Sequence, residues 1–501
     1  MSVLPGGLRV YVESVPQYGR GLAAVALTVA AGGDDDPAGR HGTAHLVEHL
    51  MFPRSGGGSA DPTGEGYAAL VAGAGGVCNA ETHRDHTVFH TTVPAESLPD
   101  ALSWEARRLL GFAPTEDVIR TETDVIGEEI RGAGDAGRPW ESALGALYPG
   151  SRDSFGTAAE LAGITAGEVE AFFRAHYTAR RMVLSVVGDV DPAGVMAVVG
   201  EVFGGVGVIR VAGEAGAVEE IGAAGEIRAA REPRAAEEAR AEREVRSAEE
   251  IGAVREARVA GEPRPAREIR PAPLLAARPG VAVGHPLPDP VTDRPAYLAQ
   301  AVLAQVLGRS RLPALARSAW DGHRLTSATV TCGYHGQWLA SAAPDLTLAV
   351  LGRAPGTEVD AAVGIWRSVL RAVAEGPLPE AEHRRAVNSL LVAWHRQADS
   401  LPTRAVALGR DALLLPGSAG PDALPAELRR TTPAEVAAAA RALLEGPVTV
   451  TELAPPAGAV PTARTRTVQP ARAGTELAPQ ASTFLTARAD TELAPQKGTV
   501  G

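Results

Sequence analysis

The order of apolar and polar positions along the chain predicts two α+β units separated by a break. Leu8 to Glu13 alternates with period two, as a half-buried strand does, and Leu22 to Ala31, the longest early apolar run, predicts a buried strand. A polar turn from Gly32 to Arg40 leads into a short helix that carries His45 to His49. Ser97 to Leu110 sets Leu98, Ala101, Leu102, Ala106 and Leu109 at helical spacing, and Thr115 is placed to N-cap a further helix that runs through Glu129. Apolar patterning resumes at Gly280, with a helix at Leu298 to Leu307, a strand at Leu346 to Val350 and helices at Val359 to Ala374 and Glu380 to Gln397.

Between the two units, Val211 to Pro273 holds no Leu and no aromatic residue, so it cannot build a core. Its mixed Glu and Arg predict an exposed, salt-bridged helix between Glu237 and Glu256. A spacer is the first reading of this insertion, and a docking segment for a partner the second. Past Val450, the pentapeptide Thr451-Glu452-Leu453-Ala454-Pro455 recurs at Thr475 to Pro479 and Thr491 to Pro495 in a tail rich in Pro, Ala and Thr. The expected division is therefore 1–205, a low-complexity link over 206–279, a second unit over 280–450, and a disordered tail over 451–501.

Composition narrows the classes further. With 501 residues, 45% apolar and 22% charged, the chain is globular material for two or more domains. A net charge of -12, with no basic patch interleaved with aromatics, argues against a nucleic-acid binder. The two cysteines, Cys78 and Cys332, lie far apart in sequence, which suggests no disulfide framework and a reducing compartment. The first residues lack a signal-peptide core, and Leu22 to Ala31 is too short to span a membrane. The expectation is a cytoplasmic protein without membrane segments.

Candidate chemistry centres on His45-Leu46-Val47-Glu48-His49. Positions three and four apart share a helix face, so His45, Glu48 and His49 can converge on one point. Two neutral imidazoles suit zinc, and an unbound carboxylate beside them suits the deprotonation of a water whose pKa the cation lowers. This order is that of the inverzincins. Seven residues are nearly two helical turns, so Glu122 and Glu129 lie on one side of their helix.

The flanks Gly42-Thr43-Ala44 and Leu50-Met51-Phe52 resemble the insulinase/pitrilysin family, which includes the mitochondrial processing peptidase. That resemblance implies two similar α/β-sandwich domains of mostly antiparallel sheet with helices packed on it. It makes Glu129 the third ligand of one Zn2+ per chain, Glu122 the supporting carboxylate and Glu48 the general base, with Glu128 left in solvent. The Gly-rich stretch Ser55 to Gly66 absorbs a gap between His49 and Glu129 that is longer than the family's. Asn79, Ala80 and Thr82 stand at positions that line the family's cleft, where a peptide substrate is gripped as an added strand. His83, His86 and His90 follow no ligand spacing, and His176 reads as a packing residue. In the second unit, Gly308-Arg309-Ser310-Arg311-Leu312 resembles the turn whose Arg holds substrate, which implies that role for Arg311. The companion Tyr of the family falls near Thr326, and the nearest Tyr is Tyr334.

Four such domains enclose the family's chamber, so a chain with two implies a homodimer or a heterodimer with a paralogous subunit that supplies the Arg/Tyr pair. The expected function is a zinc-dependent endopeptidase acting on peptides or unfolded leader segments. Two other readings stand beside it: a non-catalytic subunit of a peptidase-like complex, and a zinc-stabilised scaffold that recruits partners through the link and tail.

Overall fold

The computed structural model describes residues 1–52, 66–132, 138–205, 268–269, 274–276, 278–317 and 325–455. The expected helix between Glu237 and Glu256, most of the Gly-rich stretch after Ser55 and the last two TELAP copies lie outside them.

Six strands of the first half form one sheet: β1 (Ser2–Val3), β2 (Arg9–Ser14), β3 (Leu22–Val29), β4 (Val77–Thr82), β5 (Thr87–Pro94) and β6 (Met182–Gly188), in the order β1-β2-β6-β3-β5-β4. The pair β2–β6 is parallel and the other pairs are antiparallel. The second half contributes β7 (Glu268–Ile269), β8 (Leu274–Leu275), β9 (Gly280–Pro286), β10 (Leu325–Cys332), β11 (Leu346–Arg353) and β12 (Val448–Ala454). Their order is β10-β11-β9-β12-β7, with β8 also beside β12. Read from β4 inward, the first sheet runs β4-β5-β3-β6-β2, so the second repeats its topology, including a parallel pair at the matching place, β7–β12. Two similar α+β halves with mostly antiparallel sheets are therefore present, as expected.

The boundaries differ from the expected ones at both ends of the second half. β7 and β8 fall inside the segment read as a link, 206–279, because two-residue strands need only backbone bonds to β12 and leave no apolar pattern. The first TELAP copy is not tail. Thr451 and Leu453 are buried within β12, and Glu452 pairs with Arg353 at 2.6 Å.

Helices cover both sheets. The first half has α1 (Thr43–Leu50), α2 (Tyr67–Gly73), α3 (Leu98–Leu110), α4 (Glu116–Gly132), α5 (Pro139–Leu147), α6 (Ala166–His176) and α7 (Pro192–Val202). The second half has α8 (Arg294–Val306), α9 (Val359–Glu375), α10 (Glu380–Ala398), α11 (Leu401–Leu414) and α12 (Pro433–Glu445). Val25, Leu27 and Val29 on one face of β3 join a core with Leu46, Val47 and Leu50 of α1, Leu102 of α3 and Ile119 and Ile126 of α4.

The opposite face of β3 packs on a helix from the other half. Ala24 and Ala26, with Val88 and Val187, meet Ala405 and Val406 of α11. The exchange is reciprocal: Trp140, Ala143, Leu144 and Leu147 of α5 cover Ala282 of β9 with Leu346 and Leu348 of β11. Burial on both faces is why Ala23 to Val29 is apolar at every position but Thr28 instead of alternating.

Candidate metal centre

The helix α1 is eight residues long, too short to persist without its surroundings, and its N-terminus is fixed by a carboxylate from the preceding turn. Asp36 Oδ2 accepts from the Gly42 amide at 2.6 Å, and its Oδ1 accepts from the Ala44 amide at 2.7 Å. Those amides have no partner inside the helix, so Asp36 does the work of an N-cap. Gly42 itself has φ 106°, and a Cβ there would collide with Leu161 and the Gly156 backbone. Burial pushes the Asp36 carboxyl up to about 7, against the lowering pull of the two amides.

On α1, Leu46, Val47 and Leu50 face the core, which turns His45 and His49 toward α4. His45 Nε2 lies 3.7 Å and His49 Nε2 lies 3.5 Å from the same oxygen, Glu129 Oε2. The three ligand atoms all lie within 4.8 Å of one another. Tetrahedral ligands about 2.1 Å from a zinc ion sit about 3.4 Å apart, and the two His–Glu129 spacings are close to that value. The outer ring nitrogens are engaged elsewhere: His49 Nδ1 meets Glu122 Oε2 at 3.0 Å, and His45 Nδ1 meets the Phe155 carbonyl at 3.3 Å. With a metal in place each imidazole would donate outward and turn a lone pair inward, the arrangement that orients a metal-ligating His.

The electrostatics agree with a cation at this point. Burial and then the charge of His49 pull the His45 imidazole down to about 4. Burial also opposes charge on His49, but hydrogen bonding to Glu122 and Glu129 outweighs it and carries that ring to about 9. A proton held between two carboxylates marks where a divalent ion would take its place. Glu48 stands beside the group with its Oε2 accepting a hydrogen bond from the Thr82 hydroxyl. Burial raises it to about 7, against the lowering influence of His49 and Thr82.

The other expected residues separate into three groups. Glu128 is solvent-exposed and pairs with Arg131 within its own helix at 2.8 Å. On β4, the outermost strand of the first sheet among the described residues, Ala80 packs against the core beneath α1 and Thr82 faces Glu48. By strand alternation Asn79 points to the opposite face, opposite His90 in register. Arg311 lies in the second half, where the expected turn is a π-helical segment, Leu307–Arg311, that continues α8. Its guanidinium forms a bidentate pair with Glu382 of α10 at 2.8 and 2.5 Å. Tyr334 is buried with its hydroxyl 2.6 Å from Ser154 of the first half. His83 and His86 stack face to face at 4.3 Å and pair with Glu81 and Asp85, and the described residues hold no second metal-ligand group.

Sequence reasoning missed three supports. Asp36 stands in a run of acidic turn residues with nothing to distinguish it, and the Phe155 carbonyl is backbone and leaves no sequence signal. Thr82 is expected to line the cleft, and nothing in its spacing tells that its hydroxyl binds the Glu48 side chain.

An α+β pair of like halves, one bearing an inverted His-x-x-Glu-His helix and a distant Glu on one metal point, defines the inverzincin class of fold. The family profile described as "Insulinase (Peptidase family M16)" matches residues 11–132, and that of the "Peptidase M16 inactive domain" matches residues 163–390. The chain belongs to the insulinase family. An uncharacterized zinc protease of Mycobacterium tuberculosis (strain ATCC 25618 / H37Rv) is 33% identical over 208 residues, 40% of this chain and 46% of that protein. A probable mitochondrial-processing peptidase subunit beta of Arabidopsis thaliana is 30% identical over 197 residues, 38% of this chain and 36% of that protein. The match thus spans less than half the length of these relatives. In structure, a protease from Helicobacter pylori is similar with a TM-score of 0.68 at 18% identity, covering 91% of this chain and 98% of that one. A putative M16-like peptidase from Alicyclobacillus acidocaldarius gives 0.64, also at 18%, covering 91% of this chain and 97% of that one. At that identity the likeness speaks to the fold.

Proposed function

We propose that the protein is a zinc-dependent endopeptidase that cleaves peptides or unfolded segments. The observation that carries the reading is the convergence of His45, His49 and Glu129 on one point with the Glu48 carboxylate beside it. Zinc held there by the two Nε2 atoms and a Glu129 oxygen would polarise a peptide carbonyl and make water more acidic. Glu48 takes a proton from the attacking water and passes it to the nitrogen of the leaving amine. Glu122 and the Phe155 carbonyl keep both imidazoles in the tautomer that faces inward.

The outer edge of β4 receives the substrate as an added strand, with Asn79, Ala80 and Thr82 offering backbone groups to it. Arg311 is committed to Glu382 and Tyr334 to Ser154, which supports a paralogous subunit, over a second copy of this chain, as the source of the substrate clamp. None of the described helices is long and apolar enough to cross a membrane, and the two free cysteines, far apart in sequence, support a reducing compartment such as the cytoplasm.

The test is Glu48→Gln. It is expected to keep one zinc per chain by elemental analysis and to lose peptide cleavage by at least 100-fold, the scale on which a general base acts. Unchanged cleavage would end the assignment. Zinc-free wild-type protein from a chelator-free preparation would instead favour the non-catalytic subunit.

A further inference from the structure

The turn between β4 and β5, His83 to His86, binds the other half of the molecule. Asp85 is buried, and its Oδ2 accepts from two successive amides of the second half, Ala342 at 2.7 Å and Ala343 at 3.0 Å. Successive amides converging on a carboxylate form a compact anion cradle, and hydrogen bonds to a charged acceptor are the strong ones. Asp85 Oδ1 meets His86 Nδ1 at 2.9 Å, which fixes the carboxylate from its other side. Next to it, buried Arg84 donates to the Pro344 carbonyl of the same loop, to the Arg152 carbonyl at 3.1 Å and to Asp34 at 2.8 Å. The tip is closed on itself by the His83 amide donating to the His86 carbonyl at 2.8 Å.

One residue before this tip stands Thr82, whose hydroxyl is the hydrogen-bond donor to the Glu48 side chain among the described residues. That bond holds Oε2 and leaves Oε1 without a hydrogen bond among those residues. A carboxylate fixed by one oxygen has its other oxygen aimed in a set direction. Thr82 in turn sits at the end of a strand that, among the described residues, is bonded only to β5, with Thr82 opposite Thr87. An edge-strand terminus frays unless something beyond it is tied down. Here the tie is the second half of the molecule.

We propose that the hairpin tip is a latch between the halves, in which Asp85 and Arg84 hold the end of β4 and Thr82 thereby positions the Glu48 carboxylate. Thr82 and Asp85 are positioning residues. The inactive half thus contributes to the chemistry through the loop 341–345, without touching the metal point. The catalytic consequence rests on Glu48 acting as the base proposed above.

Two readouts on the full chain test it. Thr82→Val keeps the side-chain shape and deletes the hydroxyl, and Thr82→Ser restores the hydroxyl. With an internally quenched unstructured peptide, Thr82→Val is expected to lower kcat about 10–100-fold, the scale of lost outer partners, with KM within about twofold and one zinc per chain retained. Thr82→Ser is expected to recover kcat to within about threefold of wild type. In metal-free protein, Asp85→Ala is expected to speed amide hydrogen exchange across residues 77–82 by at least 10-fold while residues 346–353 keep their protection, and Asp85→Asn serves if the Ala variant fails to fold. Wild-type kcat in Thr82→Val, an equal loss in Thr82→Ser, or unchanged exchange in the Asp85 variants would overturn the latch. Glu48→Gln run alongside separates the two ideas. If it cleaves normally the peptidase reading falls, and exchange, which needs no metal, still decides on the latch.

Discussion

A buried imidazole has two nitrogens to satisfy, and at His45 and His49 the outer one is given to a protein acceptor while the inner one faces Glu129, where a metal would sit. For His49 that acceptor is the Glu122 carboxylate, itself buried. Glu122→Gln keeps the shape and removes the charge, and is expected to weaken zinc binding about 10–100-fold in a chelator competition. Equal affinity would remove Glu122 from the ligand shell. Another buried carboxyl gives a pH effect well away from the metal. Asp345 is pushed up to about 7 by burial, with Arg84 and the Leu346 amide pulling the other way. Because its folded value is raised above the ordinary value near 3.9, its contribution to stability is complete below about pH 4 and is lost as pH rises through about 7. Asp345→Asn should therefore gain on wild type in thermal midpoint between pH 4 and 7, with no further gain above. A constant difference across that range would contradict the raised value. The residues of the metal point were legible because helix periodicity fixes which side chains share a face, and the family resemblance chose Glu129 over Glu128. The Asp36 cap, the Phe155 carbonyl and the Thr82–Glu48 bond were not legible, since each depends on residues brought together by the fold and not by spacing.

At the scale of elements, α11 meets β3 and α5 meets β9 at glycine positions with no room for a side chain. Gly409 of α11 lies against β3 so closely that a Cβ there would collide with the Thr28 hydroxyl, and a Cβ at Gly284 of β9 would stand 3.0 Å from Ala143 of α5. Gly409→Val should cost about 1–3 kcal/mol in denaturant unfolding, the usual penalty of overpacking a tight core. A cost within error would show that the crossing has slack. Helices α3, α4, α9 and α10 emerge close to the ends that periodicity predicts. The misplaced boundaries share a cause: β7, β8 and the first TELAP copy are held by backbone pairing in a sheet whose other strands lie far off in sequence. The π-helical continuation of α8 shows the same limit, because Ser310 and Arg311 are drawn to Glu382, a partner about 70 positions away that no local pattern names.

For the whole molecule, the two halves are topological copies that each lack a cover of their own. Amphipathic spacing announces that a helix has a buried face, yet it does not say which sheet receives it, so the exchange of α5 and α11 was invisible in the sequence. A polypeptide limited to residues 1–205 would expose Ala24, Ala26, Val88 and Val187, and is expected to be insoluble alone and soluble when co-expressed with 268–455. Cooperative unfolding of the lone fragment as a monomer would refute mutual dependence. The same exchange bears on how the protein is made. The first sheet leaves the ribosome complete about 200 residues ahead of α11, a wait of roughly 10–40 s at ordinary rates of synthesis. Throughout that interval an apolar sheet face stands bare on the nascent chain, so folding in the cell should lean on chaperones that bind such surfaces until the last helices arrive.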